Sequence, residues 1–179
     1  MHRSPFASRG ASVVWLTGLS GAGKTTLAQA LAQRLRAAGE PCLVIDGDVL
    51  RQGLCSDLGF GSADRKENMR RASEVARLLV DNGCWAIVAL ISPFAAEREQ
   101  ARARIGVARF VEVHVHAPLP VLEIRDPKGL YARARAGTLL QMSGLDAPYE
   151  APAAPSVFID TSSCTPDQAT ERLLAALLP

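Results

Sequence analysis

Residues 18–25 read Gly18-Leu19-Ser20-Gly21-Ala22-Gly23-Lys24-Thr25, a complete G-x-x-x-x-G-K-[ST] phosphate loop. The run before it, Val13-Val14-Trp15-Leu16-Thr17, is short and apolar, as a buried strand should be. The run after it, Thr26 to Ala38, places Leu27, Leu31 and Leu35 on one helical stripe. Strand, glycine turn and helix form the context this motif requires, and an ordinary Gly-rich turn would need neither flank. Gly18, Gly21 and Gly23 let the backbone wrap a phosphate chain with its N–H groups inward. The helix opening at Gly23–Lys24 adds the positive end of its dipole. Lys24 is placed as the charge on the β- and γ-phosphates, and Thr25 as the hydroxyl on Mg²⁺.

Working outward, apolar runs alternate with helical stretches. Strands are expected at 13–17, 42–46, 84–91, 110–115 and 156–160, and helices at 24–38, 64–81, 95–104, 119–124 and 166–178. Continuous apolar strands between helices imply a parallel sheet covered on both faces. Gly39 and Gly83 mark helix ends; Thr165 and Pro166 mark a helix start. Residues 125–155 are rich in Gly, Pro and Arg with little apolar period. A stretch of that kind reads as a lid over about 125–150. With 179 residues, 48% hydrophobic and few aromatics, the chain should form one domain over 12–179 with an Ala/Leu/Val core. Residues 1–11 carry Arg3 and Arg9 and no acid. They read as a frayed segment rather than a signal or transit peptide. A net charge of +2 gives no argument for nucleic acid or membrane, and no run reaches transmembrane length. Cys42, Cys55, Cys84 and Cys164 are widely spaced. They fit reduced thiols in a cytoplasmic protein better than a zinc site or disulfide framework.

The loop alone says nucleoside triphosphate; the reaction must come from elsewhere. A GTPase switch needs N-K-x-D, which is absent, and Asp126-Pro127-Lys128-Gly129 comes too late in the chain for a switch D-x-x-G. An assembly or mechanical ATPase needs a strand ending in adjacent acids; the nearest feature is Val44-Ile45-Asp46-Gly47-Asp48. Asp46 ends a buried strand, where open α/β sheets place ligands. Asp46 and Asp48 can orient a metal's water shell and accept a hydroxyl proton; otherwise they cap the next helix. Arg51 lies one helical turn beyond Asp48. Arg65 and Asn68 share a helix face within Asp64–Arg71. Arg suits phosphate or sulfate, and Asn suits a base edge or hydroxyl, although such a charged run also makes a solvated face. Ile91-Ser92-Pro93-Phe94 ends the central strand at the same sheet edge. Arg125 and Lys128 can close over phosphates from the lid.

Seven motifs in order then resemble the adenylyl-sulfate kinase (APS kinase) family. They are Trp15-Leu16-Thr17 with the loop to Thr26, Asp46-Gly47-Asp48-x-x-Arg51-x-Gly53-Leu54, Leu58-Gly59-Phe60, Asp64-Arg65-x-Glu67-Asn68-x-Arg70-Arg71, Ile91-Ser92-Pro93-Phe94, Arg125-Asp126-x-Lys128-Gly129-Leu130-Tyr131 and Tyr149-Glu150-x-Pro152. The resemblance implies an α/β P-loop NTPase fold of nucleotide-kinase type: three layers, a five-stranded parallel sheet and a lid. It implies MgATP-dependent phosphorylation of the 3′-hydroxyl of adenosine 5′-phosphosulfate (APS), giving PAPS and ADP in sulfate assimilation, by a homodimer. Gly18 to Thr26 would hold ATP, with Arg125 over its phosphates and Cys164 beside its adenine. Thr25 and Asp46 would hold the metal. Asp46 and Asp48 would share metal orientation and base. Arg51, Phe60, Arg65, Asn68, Ile91, Ser92 and Lys128 would bind APS, with Phe60 against the adenine. Ser92 corresponds to a residue proposed as phosphorylated in some members; direct in-line transfer is the expectation here.

The chain departs from the family at Gln141-Met142-Ser143-Gly144, where the pattern is Gly-Phe-Thr-Gly. Met142 would then form the second wall of the APS adenine site, unless it points into the lid's own core. The N-terminal extension is also short. Two alternatives follow: a related kinase acting on another adenosine-bearing alcohol, or a degenerate nucleotide-binding partner of a sulfurylase. Intact Lys24, Asp46, Asp48, Arg65 and Asn68 speak against degeneration.

Overall fold

The computed structural model describes Phe6 and residues 10–178. Five parallel strands form one sheet in the order β2-β3-β1-β4-β5. They are β1 (Val13–Thr17), β2 (Cys42–Asp46), β3 (Trp85–Ala89), β4 (Phe110–His116) and β5 (Val157–Asp160). The helices are α1 (Lys24–Ala37), α2 (Gly47–Gln52), α3 (Ser62–Asp81), α4 (Ala95–Ile105), α5 (Leu119–Arg125), α6 (Leu130–Arg135) and α7 (Pro166–Leu177).

Alternation along β1 builds both halves of the core. Val14 and Leu16 face α1 and α7, meeting Leu27, Leu31, Leu35, Leu173 and Leu177. Val13 and Trp15 face α3 and α4, meeting Met69, Ala72, Ala76, Ala101 and Ile105. All five β1 residues are buried, as a central parallel strand requires. The core is mainly Ala, Leu, Val and Ile, as composition suggests, with a few large aromatics in it. Trp15, Trp85 and Tyr131 are its largest fully buried side chains, and Trp15 lies 5.7 Å from the Phe110 ring. A few aromatics therefore fill the space that many Ala residues leave.

The expected helix punctuation holds. Gly39 and Gly83 have φ of 80° and 74°, the left-handed turn that stops α1 and α3. Thr165 and Gln168 form a reciprocal capping box on α7, with Pro166 at its start. Two expectations need correction, and one alternative reading is realised. The strand expected at 84–91 is only Trp85–Ala89; Leu90 and Ile91 have already turned toward the sheet edge. Asp46 caps a short helix α2, accepting from the Asp48 amide at 2.9 Å. The stretch read as irregular contains α6, whose amides at Tyr131 and Ala132 are capped by Asp126 at 3.1 and 2.9 Å. Fraying expected over residues 1–11 falls largely outside the described residues. Phe6 is buried and packs edge-on to Trp85, 5.9 Å between centroids.

Candidate active site

Every strand carries its C-terminal end to one edge, and a cavity of about 800 Å³ opens there. Its wall combines the turn after β1, the ends of β2 and β3, the first half of α3, and the 125–143 segment.

The loop after β1 is fixed by its glycines. Gly18 has φ of 151°, and a Cβ there would sit 2.1 Å from the Val115 carbonyl oxygen. Gly21 and Gly23 have φ of 76° and 95°. Only glycine combines these torsions with that approach. Lys24 donates to the Gly18 and Leu19 carbonyls, both at 2.8 Å, and so folds over its own loop. Burial, then the Lys128 ammonium, pull its pKa down to about 7, against the pull of Asp46 and Asp48.

Thr25 at the start of α1 donates to Asp46 Oδ2 at 2.7 Å. The same carboxylate caps α2, so one acid ties the phosphate loop to the end of β2. Asp48, one residue into α2 and exposed, pairs with Lys128 across the cavity mouth. A hydroxyl and a carboxylate in contact are hard oxygen donors, suited to a Mg²⁺ whose remaining ligands are phosphate and water. Among the described residues, no group of three or more His, Cys, Asp or Glu could hold a metal ion.

The opposite wall is built on Phe60, which is 60% exposed. The Arg51 guanidinium lies 4.4 Å from its centroid and the Arg65 guanidinium 5.9 Å. Arg51 is held by the Leu58 and Gly59 carbonyls at 3.1 and 2.7 Å. Arg65 donates to the Phe60 carbonyl and to the Gln141 carbonyl, each at 2.7 Å, linking α3 to the segment opposite. Asn68, one turn on, is buried with Oδ1 unpartnered on the cavity wall. Ile91 and Ser92 complete this end. Ser92 is buried, has φ of 49°, and accepts from Trp15 Nε1 at 2.9 Å through Oγ.

All the candidate residues from the sequence line this cavity except Gly18, Leu19 and Ala22, which support the loop from behind. Arg125 stands differently from expectation. It is the last residue of α5, clamped to the Thr161 hydroxyl at 2.9 Å and carbonyl at 2.7 Å, and to Gly21 at 3.4 Å. It joins the phosphate loop to the end of β5 rather than hanging over an open lid. Cys164 donates to the Asp160 carbonyl at 3.1 Å and lines the cavity near Thr161. Met142 is 6% exposed and belongs to the main core while still lining the cavity.

Sequence reasoning missed Thr161, Gln141 and Ser143. Thr161 bridges Ala22, His116 and Arg125. Ser143 is buried with an unpartnered hydroxyl on the cavity wall. Gln141 has φ of 61° and presents its carbonyl to Arg65. A lone Thr after a strand gives no signal; the Gln141–Gly144 run stood out only by departing from the family pattern.

The geometry agrees with what the chain resembles among known proteins. Residues 10–160 match the adenylylsulphate kinase family model. An adenylyl-sulfate kinase of Citrobacter koseri is 52% identical over 167 residues, covering 93% of this chain and 81% of the relative. One from Shewanella amazonensis is 49% identical over 179 residues, covering 99% and 90%. The Mycobacterium tuberculosis APS kinase in complex with AMPPNP and APS superposes with a TM-score of 0.90 at 43% identity, covering 94% of this chain and 98% of that one. A Sinorhizobium meliloti gluconokinase, 20% identical with a TM-score of 0.61, shares the fold alone. A phosphate loop tied to an acid-ended strand, facing an arginine-flanked aromatic, thus sits on a chain that belongs to the adenylylsulphate kinase family.

Proposed function

We propose that this chain transfers the γ-phosphoryl group of ATP to the 3′-hydroxyl of APS, giving PAPS and ADP, as a step of sulfate assimilation. The observation that carries the reading is one cavity holding both a phosphate loop and a Phe60 ring bracketed by two guanidinium groups. The relatives' names and the AMPPNP- and APS-bound neighbour support it.

The loop from Gly18 to Thr26 holds the triphosphate, and Lys24 leaves its two carbonyls for the β- and γ-phosphates. Thr25 and Asp46 would hold Mg²⁺, which when bound would offset charge developing on the phosphates. Asp46 is occupied by Thr25 and the α2 cap, which suits metal orientation. Asp48 is reachable, and it takes the proton from the 3′-hydroxyl. Arg125 and Cys164 flank the ATP end. Phe60 and Met142 hold the APS adenine; Arg51, Arg65, Asn68, Ile91 and Ser92 hold the rest. The unpartnered Asn68 Oδ1 and Ser143 hydroxyl await hydrogen-bond partners that a polar nucleotide supplies. Lys128 exchanges Asp48 for substrate when the 125–150 segment closes as a lid. Transfer is direct and in line: Ser92 Oγ is buried against Trp15.

We place the chain in the cytoplasm as a single domain over 12–179 and as a homodimer. A sulfurylase is a further candidate partner, and one APS kinase relative is described as hexameric. Among the described residues, no helix is long and apolar enough to cross a membrane. A coupled assay with MgATP tests the reaction, comparing APS, AMP and adenosine as acceptors. Turnover should require APS; equal rates with AMP or adenosine would overturn the assignment of the acceptor.

A further inference from the structure

The turn Ile91-Ser92-Pro93-Phe94 is held carbonyl by carbonyl. Thr17 Oγ1 donates to the Ile91 carbonyl at 2.7 Å, and the Glu150 amide donates to the Pro93 carbonyl at 2.8 Å. Arg98 meets the other two: its Nη1 reaches the Ser92 carbonyl at 2.8 Å, which also takes Thr17 Oγ1 at 3.4 Å, and its amide makes the first α4 bond to the Phe94 carbonyl at 3.3 Å. Ser92 and Gln141 are the only non-glycine residues with φ in the left-handed region among the described residues, and both line the cavity. A left-handed serine persists only where its surroundings over-determine it.

Arg98 is itself over-determined. Its side chain is 4% exposed, and Nε donates to Glu112 Oε1 at 2.8 Å. Glu112, from the middle of β4, gives its other oxygen to Arg102 at 2.9 Å. A buried ion pair is a poor way to gain stability, because well-packed apolar side chains do as well. What it supplies here is direction. The two edges of one guanidinium are fixed on β4 and on the Ser92 carbonyl, so the turn is registered against the central strands.

We infer that Arg98, oriented by Glu112 and Arg102, is a positioning residue for the acceptor substrate: it sets the Ile91–Ser92 turn without touching ligand. The inference rests on the reading that places Ile91 and Ser92 on the APS side. The test uses Arg98→Met/Glu112→Leu, which replaces the buried pair by apolar side chains of similar size, and Glu112→Gln, which keeps shape and removes charge. Thermal melts establish folding, and steady-state kinetics give KM for APS and ATP separately. The expected result is a folded double variant with KM for APS raised at least tenfold and KM for ATP within about twofold. Glu112→Gln should fall between it and wild type. A ¹H–¹⁵N spectrum read without substrate adds the Trp15 indole N–H, which bonds Ser92 Oγ and should shift in both variants.

Wild-type kinetics for APS in a folded double variant would overturn the inference, as would equal losses for both nucleotides. If the double variant does not fold, unchanged APS kinetics and an unmoved Trp15 resonance in Glu112→Gln overturn it equally. Failure of the underlying reading is distinguishable: wild-type protein would not turn over APS at all, while the Trp15 resonance would still report on the turn.

Discussion

Lys24 holds two carbonyls of its own loop and has a pKa of about 7, so its charge at neutral pH is conditional. Its folded pKa lies below the unfolded value of 10.5. Between the two, the unfolded chain binds a proton that the folded chain does not, so this residue makes stability rise with pH across that window. A bound polyphosphate restores the charge. Nucleotide binding above neutrality should therefore take up a proton, seen as a calorimetric enthalpy that varies with the ionisation enthalpy of the buffer. Lys24→Met should abolish that dependence; a wild-type enthalpy independent of buffer would refute the coupling. Lys24→Ala should slow transfer by roughly 10²–10³-fold, about 2.7–4 kcal/mol of barrier, by analogy with losing an oxyanion donor. The acids separate at the same scale. Asp46→Asn should raise the Mg²⁺ requirement, because it removes the carboxylate charge beside Thr25 that would hold the cation. Asp48→Asn should lower kcat with nucleotide affinity nearly unchanged. Magnesium titrations of both variants distinguish the roles, and the reverse pattern would exchange them.

Helix α3 shows what an element contributes. Its outer face carries the expected solvated charges, with Glu67 bound to Arg70 and Arg71, whose hydrogen bonds hold its pKa near 2. Its first turns instead aim Arg65 and Asn68 into the cavity. The charged run in the sequence was compatible with both faces; only the placement of α3 beside Phe60 divided them. Asn68 buries an acceptor with no partner, which costs stability. Asn68→Leu should therefore melt at or above the wild-type temperature while weakening APS by up to about tenfold, the equivalent of 1.4 kcal/mol. Calorimetry with APS in the presence of ADP checks this. A large loss of stability would mean Asn68 is a packing residue. The elements that sequence reading missed, α2 and α6, are six residues each. At that length no apolar period develops, and their starts depend on Asp46 and Asp126 capping, which the same residues could equally have provided in a loop.

Across the whole molecule, the buried Arg98–Glu112 pair joins α4 to β4. Arg98→Met alone leaves a buried carboxylate half-paired and should cost roughly 3–5 kcal/mol, while the apolar double substitution should recover most of it. Urea unfolding measures both; a double variant as unstable as the single one would show that the charges themselves hold the sheet and helix together. The sequence by itself determined the phosphate loop, the parallel α/β order and the sheet edge that carries the chemistry. Glycine helix stops, the Thr165–Pro166 start of α7 and apolar strand runs are local properties, and each survives being read one stretch at a time. Tertiary structure decided which charges meet. Arg98 and Glu112 are two unremarked residues in the chain, and Thr161 is one threonine among several. Arg125 is clamped to Thr161, just past β5, a partner the sequence did not single out. Such contacts join residues far apart in sequence. Their partners are chosen by strand order and helix packing, which no local periodicity records.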